Sequence, residues 1–124
     1  MGHEVTNYTC YMVYAKIIVM ANTNKQYNSF KEFYPYYLAE HQHPTCRLLH
    51  VLGSFLVLLV LLISLYLANP WLLLLLPVIG YGFAWIGHFV FEKNRPATFK
   101  YPLYSLLGDW VMFWQIITGQ LKLK

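Results

Sequence analysis

Two uncharged apolar runs, residues 51–68 (VLGSFLVLLVLLISLYLA) and 71–91 (WLLLLLPVIGYGFAWIGHFVF), are separated only by Asn69 and Pro70. As a helix each is long enough to cross the roughly 30 Å of hydrocarbon in a bilayer, and the two residues between them leave room only for a tight turn. A membrane hairpin is therefore expected. His50 lies just before the first run and His88 near the end of the second, about 19 residues up to the turn and about 18 back, so both imidazoles should lie roughly 28 Å from it. Two metal-ligating side chains then meet at one rim of the hydrocarbon layer, where an ionisable group is a functional candidate by default.

Composition agrees. The 124 residues are 58% hydrophobic and 11% charged, too few charges to cover a soluble globular surface. Tyr66, Trp71, Tyr101, Tyr104, Trp110 and Trp114 cluster near the ends of apolar runs, where interfacial belts form. Nine Lys and Arg against five Asp and Glu is a modest excess that reads as topology and not as nucleic-acid binding. Lys31 and Arg47 before the hairpin and Lys93, Arg95 and Lys100 after it share one side, which the positive-inside rule makes cytoplasmic. If the third apolar stretch, about 103–118, also crosses, Lys122 and Lys124 end on the far side; a re-entrant or interfacial third segment removes the conflict. The sequence leaves both arrangements open.

The expected fold is therefore all-α: a small polytopic membrane bundle with a central hairpin (about 51–68 and 71–91), an interfacial helix before it and a third apolar helix after it. Residues 1–27 form an N-terminal extension, 28–120 the domain and 121–124 a basic tail. Residues 8–21 are apolar but interrupted by Lys16 and too short to span, which fits an interfacial stretch. Cys10 and Cys46 have no metal-ligand spacing and are expected to be free thiols.

Ser29 with Glu32 three residues on forms a capping-box pattern opening a helix with Phe30, Phe33, Tyr34, Tyr37 and His41 at helical spacing. Pro35 offers a second start for the same helix. Pro44 disfavours helical torsions at His43 and suits the first position of a new helix, so the chain should turn at Gln42 and His43. His41 then ends one helix and His50 lies within two turns of the start of the next.

Helical phase, about 100° per residue, puts Gly53, Ser54 and Ser64 within about 60° of His50, and Gly80, Ala84, Gly87 and His88 within about 100° of one another. Both histidines thus point into a small-residue helix interface. Pro77 should kink the second span near its start. Glu92, one turn beyond His88, can join a ligand set. Asp109, inside the apolar run LYSLLGDWVMFWQIITG with Ser105 one turn earlier, needs a partner: a metal, or a hydrogen bond from a Tyr, Trp or backbone donor. His3 and His43 are read as ordinary packed or hydrogen-bonded histidines. Imidazole with carboxylate suits iron, zinc or copper, and positions left open for oxygen favour ferrous iron.

The runs FYPYYLAEHQHPTCRLLHVLGS and GYGFAWIGHFVFEKNRPATFKYPLYSLLGDW resemble the 2-hydroxy fatty acid dioxygenase family of fatty-acid alpha-oxidation, over about residues 28–120. The H-x8-H segment, the GH-x3-E-x-NRPAT segment and the apolar hairpin between them occur in that family's order. Cys46 departs from the pattern, where Asn is expected. The resemblance implies an integral membrane, Fe2+-dependent enzyme, in the endoplasmic reticulum if eukaryotic or the inner membrane if bacterial. Its partners would be O2 and a 2-hydroxy fatty acid, which it shortens by one carbon. It also implies that His41, His50 and His88 hold the metal, which the charge pattern puts at the cytoplasmic rim; Glu92 and Asp109 stay further candidates from their positions, and Arg95 or Lys93 is placed either to pair the substrate carboxylate or simply to anchor the chain by the positive-inside rule. Two other classes stay open: a non-catalytic lipid-binding or scaffold protein with structural histidines, and a membrane di-iron hydroxylase, which normally uses more than the five histidines present.

Overall fold

A computed structural model describes residues 26–123 together with Val13, Tyr14 and Ile17, which are helical and exposed. The rest of the 8–21 segment, His3 and Cys10 lie outside the described residues. Four α-helices follow: α1 (Phe30–Ala39), α2 (Pro44–Tyr66), α3 (Leu75–Ile86) and α4 (Pro102–Ile117). A 3-10 segment, Pro70–Leu74, leads into α3, and a π-helical turn, Gly87–Glu92, continues it. No strand occurs among the described residues.

Helix α1 starts at Phe30, and Ser29 is its cap: the Ser29 Oγ accepts from the Glu32 amide at 3.2 Å. Glu32 reaches back to the Asn28 amide. Pro35 sits within this helix without ending it. At the other end Pro44 opens α2 as expected, with His43 extended (φ −72°, ψ 129°) and its Nδ1 accepting from the Thr45 amide at 3.1 Å. His43 is therefore a helix cap, packed against Phe91.

The hairpin turn closes on a Schellman motif. The Asn69 amide donates to Ser64 C=O at 3.0 Å and the Ala68 amide to Leu65 C=O at 3.2 Å, with Ala68 left-handed at φ 50°. Ser64 Oγ adds a bond to Asn69 C=O at 2.7 Å, which accounts for a buried serine in an apolar helix.

Pro44–Tyr66 and Pro70–Glu92 are each 23 residues, long and apolar enough to cross a bilayer. Only 22% and 11% of their most apolar windows is buried, and their outer faces, with Leu62, Leu65, Leu74 and Val78, are exposed among the described residues. A soluble core helix would be covered. Where the two helices meet, small residues set the distance: a Cβ on Gly53 would lie 3.0 Å from the Phe83 Cβ, and one on Gly87 would lie 2.9 Å from the Cys46 Sγ. The face through Cys46, His50, Gly53, Ser54 and Ser64 is buried, as phase predicts. The second span is not one uninterrupted α-helix. Pro77 lies in the first turn of α3, just past the change from 3-10 to α winding, and the π turn follows at the other end.

The third apolar helix packs against both α2 and α1. Tyr101, just ahead of α4, packs on Tyr27 and Phe33. Beyond the other end of α4, the Lys122 C=O accepts from the Arg47 Nη1 at 2.7 Å. Both ends thus meet the layer formed by α1 and the foot of α2. Between them Tyr34 bonds Gln115, and Phe33, Tyr37, Ala97 and Met112 form the buried core. This layer closes the open end of the hairpin, and the histidines lie inside it.

Candidate metal centre

Three elements deliver one imidazole each: His41 from the end of α1, His50 from the second turn of α2 and His88 from the π turn. Their ring centroids lie 4.5 Å (His41–His50), 4.4 Å (His41–His88) and 5.1 Å (His50–His88) apart. All three residues are buried, at 1%, 5% and 2% exposure. The π turn adds a residue to the helical repeat at His88, a distortion that recurs at functional sites.

Each Nδ1 is already engaged. That of His41 lies 2.6 Å from Tyr37 C=O, and that of His50 lies 2.8 Å from Cys46 C=O. A carbonyl only accepts, so both Nδ1 atoms carry the proton. His88 Nδ1 lies 2.8 Å from Asn94 Oδ1. Asn94 is oriented by its other end, where Nδ2 donates to the Glu40 carboxylate at 2.6 Å and to Glu40 C=O at 3.0 Å. Its oxygen must therefore face His88, which fixes the third tautomer as well.

Three Nε2 lone pairs are left. His41 Nε2 and His50 Nε2 stand 3.1 Å apart, and with both protons on Nδ1 this contact is not a hydrogen bond. Burial, and after it the charges His50 and His88 would carry, push the His41 pKa well below 6.5, so a shared proton does not resolve the repulsion. A metal ion does: cis ligands about 2.1 Å from one centre stand about 3.0 to 3.4 Å apart. A cavity of about 10 Å³, room for a single small ion or water, lies among the three rings. The donor set fits a metal.

Asp109 lies at the edge of this cluster, with Oδ1 3.9 Å from His50 Nε2. The same oxygen accepts from the Tyr37 hydroxyl, the hydrogen-bonding partner anticipated for a carboxylate in an apolar run. Tyr37 is placed by Gly108, where a Cβ would lie 2.9 Å from the tyrosine ring. Its ring stacks on His41 at 4.0 Å between centroids. Burial, followed by the Asp109 charge, raises the Tyr37 pKa well above 10.0, so it stays a donor. Ser105 lines the small cavity too, its Oγ buried and without a hydrogen-bond partner among the described residues.

Glu92 points elsewhere: its carboxylate accepts from the His43 amide at the start of α2. Lys93 is exposed and left-handed (φ 56°), and Arg95 is exposed with its guanidinium 4.8 Å above the Phe99 ring. Neither lines the histidine cavity, although Pro96, Ala97 and Thr98 do.

Sequence reasoning missed Asn94 and Glu40, which form a carboxylate–amide–imidazole chain, and Arg47, whose Nε donates to His41 C=O at 2.6 Å. It also missed Cys46. The ligand atoms of His41, Cys46, His50 and His88 all lie within 4.8 Å of one another. The Cys46 Sγ, however, is 3.7 Å from His50 Nδ1, the nitrogen committed to a carbonyl, so the sulfur flanks the ring and packs on Gly87. The four-residue step from Cys46 to His50 was the available signal. Cys46 is a free, buried thiol.

No curated protein and no solved structure matches the chain. A family model described as 2-hydroxy-palmitic acid dioxygenase Mpo1-like matches residues 27–121, from ahead of α1 to beyond α4, taking in all three histidines. The chain therefore belongs to the Mpo1-like family.

Proposed function

We propose that this protein is an iron(II)-dependent membrane dioxygenase that converts a 2-hydroxy fatty acid and O2 into the fatty acid one carbon shorter, CO2 and water. The observation that carries this reading is the convergence of three buried, proton-free Nε2 atoms on one ion-sized cavity. His41, His50 and His88 would hold the metal, with Asp109, its Oδ1 3.9 Å from His50 Nε2, as a further candidate. Ferrous iron would supply the binding and reduction of oxygen that side chains do not.

The chain's own residues do the rest. Tyr37, Cys46 and Asn94 accept the Nδ1 protons and so keep every Nε2 available. The aromatic layer of α1 and α4 excludes water from the ion. Ser105 Oγ, without a hydrogen-bond partner among the described residues, offers a hydrogen bond to the hydroxyl or carboxylate of a bound 2-hydroxy acid. Arg95 and Lys93, exposed at the same end of the hairpin, attract the carboxylate to the entrance and do not bind it at the metal.

In a membrane α2 and α3 would span, with Lys31, Arg47, Lys93, Arg95 and Lys100 at the cytoplasmic rim. Lys122 belongs to that rim as well, through its bond with Arg47, which favours the interfacial arrangement of α4. The test is incubation of the purified protein with ferrous iron, oxygen and 2-hydroxypalmitic acid. The expected product is the acid shorter by one carbon, lost in His50→Ala and His88→Ala. A correctly folded, metal-loaded protein that makes no such product from 2-hydroxy acids of any length would contradict the assignment.

A further inference from the structure

A second, larger cavity of about 250 Å³ adjoins the metal centre. His50, Asp109, Tyr81 and Ala84 line both spaces, so the two meet at the imidazole of His50. From there the larger one runs between α2 and α3, past Ser54, Gly80 and Val57, to Leu76 and Pro77, with Leu106 and Trp110 of α4 as its third wall. His50 to Val57 is about 10 Å along the helix, so the space reaches well into the apolar part of the hairpin. It is polar at one end and apolar along its length, the arrangement expected for an amphipathic ligand.

The small residues explain why it exists. A Cβ on Gly80 would reach van der Waals contact with Val57 Cγ2, at 3.6 Å, so the glycine leaves that space open, and the small side chains of Ala84 and Ser54 line the same cavity. Elsewhere the same two helices close tightly, at Gly53 on Phe83 and at Gly87 on Cys46. The gap is confined to the stretch that starts at the metal centre, and it is partly open to the outside.

We propose that this cavity is the acyl-chain channel: it holds the first methylenes of a long-chain 2-hydroxy acid between α2 and α3 and passes the remainder outward to lipid. The identity of the head group rests on the dioxygenase reading; the location of the tail rests on the cavity alone. Because the tail exchanges lipid for walls of similar polarity, the channel selects by the space it offers and not by a hydrophobic gain per methylene.

The test needs no turnover. The protein as purified, in lipid nanodiscs and without oxygen, is photolabelled with a 2-hydroxypalmitic acid carrying a diazirine a few methylenes from the hydroxylated carbon. Cross-links are expected on Val57, Leu76 or Trp110, and unlabelled 2-hydroxypalmitic acid should remove them. Gly80→Leu and Val57→Phe, which fill the channel from opposite walls, should each remove most of that labelling, because the added side chain takes the space of the tail. Labels confined to outward residues such as Leu62 and Leu65, or channel labels unchanged in both variants, would overturn the proposal. Competed channel labels in a protein that forms no shortened product would keep the channel and remove the dioxygenase.

Discussion

Asn94 holds His88 through its Oδ1, 2.8 Å from the imidazole Nδ1, while its Nδ2 is anchored on the Glu40 carboxylate at 2.6 Å. Partners of this kind orient a ligating imidazole and set its tautomer, and their loss typically weakens metal binding about 10- to 100-fold. Asn94→Ala should do so here, read as the metal dissociation constant. Asn94→Asp should be no better, because it sets a second carboxylate against Glu40. Combining it with Glu40→Gln restores one donor and one acceptor across the contact and should recover much of the affinity; no recovery would show that the amide acts some other way.

Tyr37 serves the centre with three groups: its C=O accepts from His41, its ring stacks on that imidazole and its hydroxyl donates to Asp109. Tyr37→Phe removes only the last. The fold should survive with a loss of about 1 kcal/mol, the usual worth of one hydrogen bond to a half-buried acceptor. Chemical unfolding in detergent measures it. A variant as stable as wild type would mean that Asp109 is already satisfied by another group.

Metal-free protein should be acid-sensitive. His41 is buried neutral, with its pKa pushed well below the ordinary 6.5 by burial first and by the neighbouring imidazoles second. Unfolding lets it take up a proton, so below pH 6.5 the unfolded state binds more protons than the folded one and stability falls with pH. Thermal unfolding of metal-free protein between about pH 7 and 5 should show this decline, and His41→Gln should make it shallower, the other two buried imidazoles keeping the rest.

Lys93 has a backbone role that its side chain conceals. At φ 56° it is left-handed, and the turn it makes lets the Asn94 amide bond His88 C=O at 3.1 Å while the Asn94 side chain swings onto the His88 ring. Lys93→Gly suits that conformation and should retain metal, whereas Lys93→Val, β-branched, should lose it. If the side chain also attracts substrate, Lys93→Gly raises KM without lowering kcat.

The hairpin is legible because two uncharged runs with two residues between them have few ways to fold, and the buried face of α2 because Gly53, Ser54 and Ser64 mark it among leucines. Pro44 announces the break that separates His41 from His50. What stays hidden depends on local winding. Asn94 reaches His88 only because a π turn and a left-handed Lys93 carry the chain back across six residues, and neither leaves a sequence signal. Glu92 looks like a ligand under regular α-helical spacing and becomes a partner of the His43 amide under π winding. The course of α4 is likewise set by contacts distant in sequence, such as Tyr34 with Gln115 and Arg47 with Lys122, which periodicity does not encode.

Metal binding by the three imidazoles is the claim beneath all of this, and X-ray absorption on ferrous-loaded protein tests it most directly. One iron per chain with three imidazole nitrogens in its inner sphere, reduced in each of His41→Ala, His50→Ala and His88→Ala, is the expected result. Iron that stays bound with unchanged scattering after all three are replaced, or wild-type protein that takes up no metal, would contradict it.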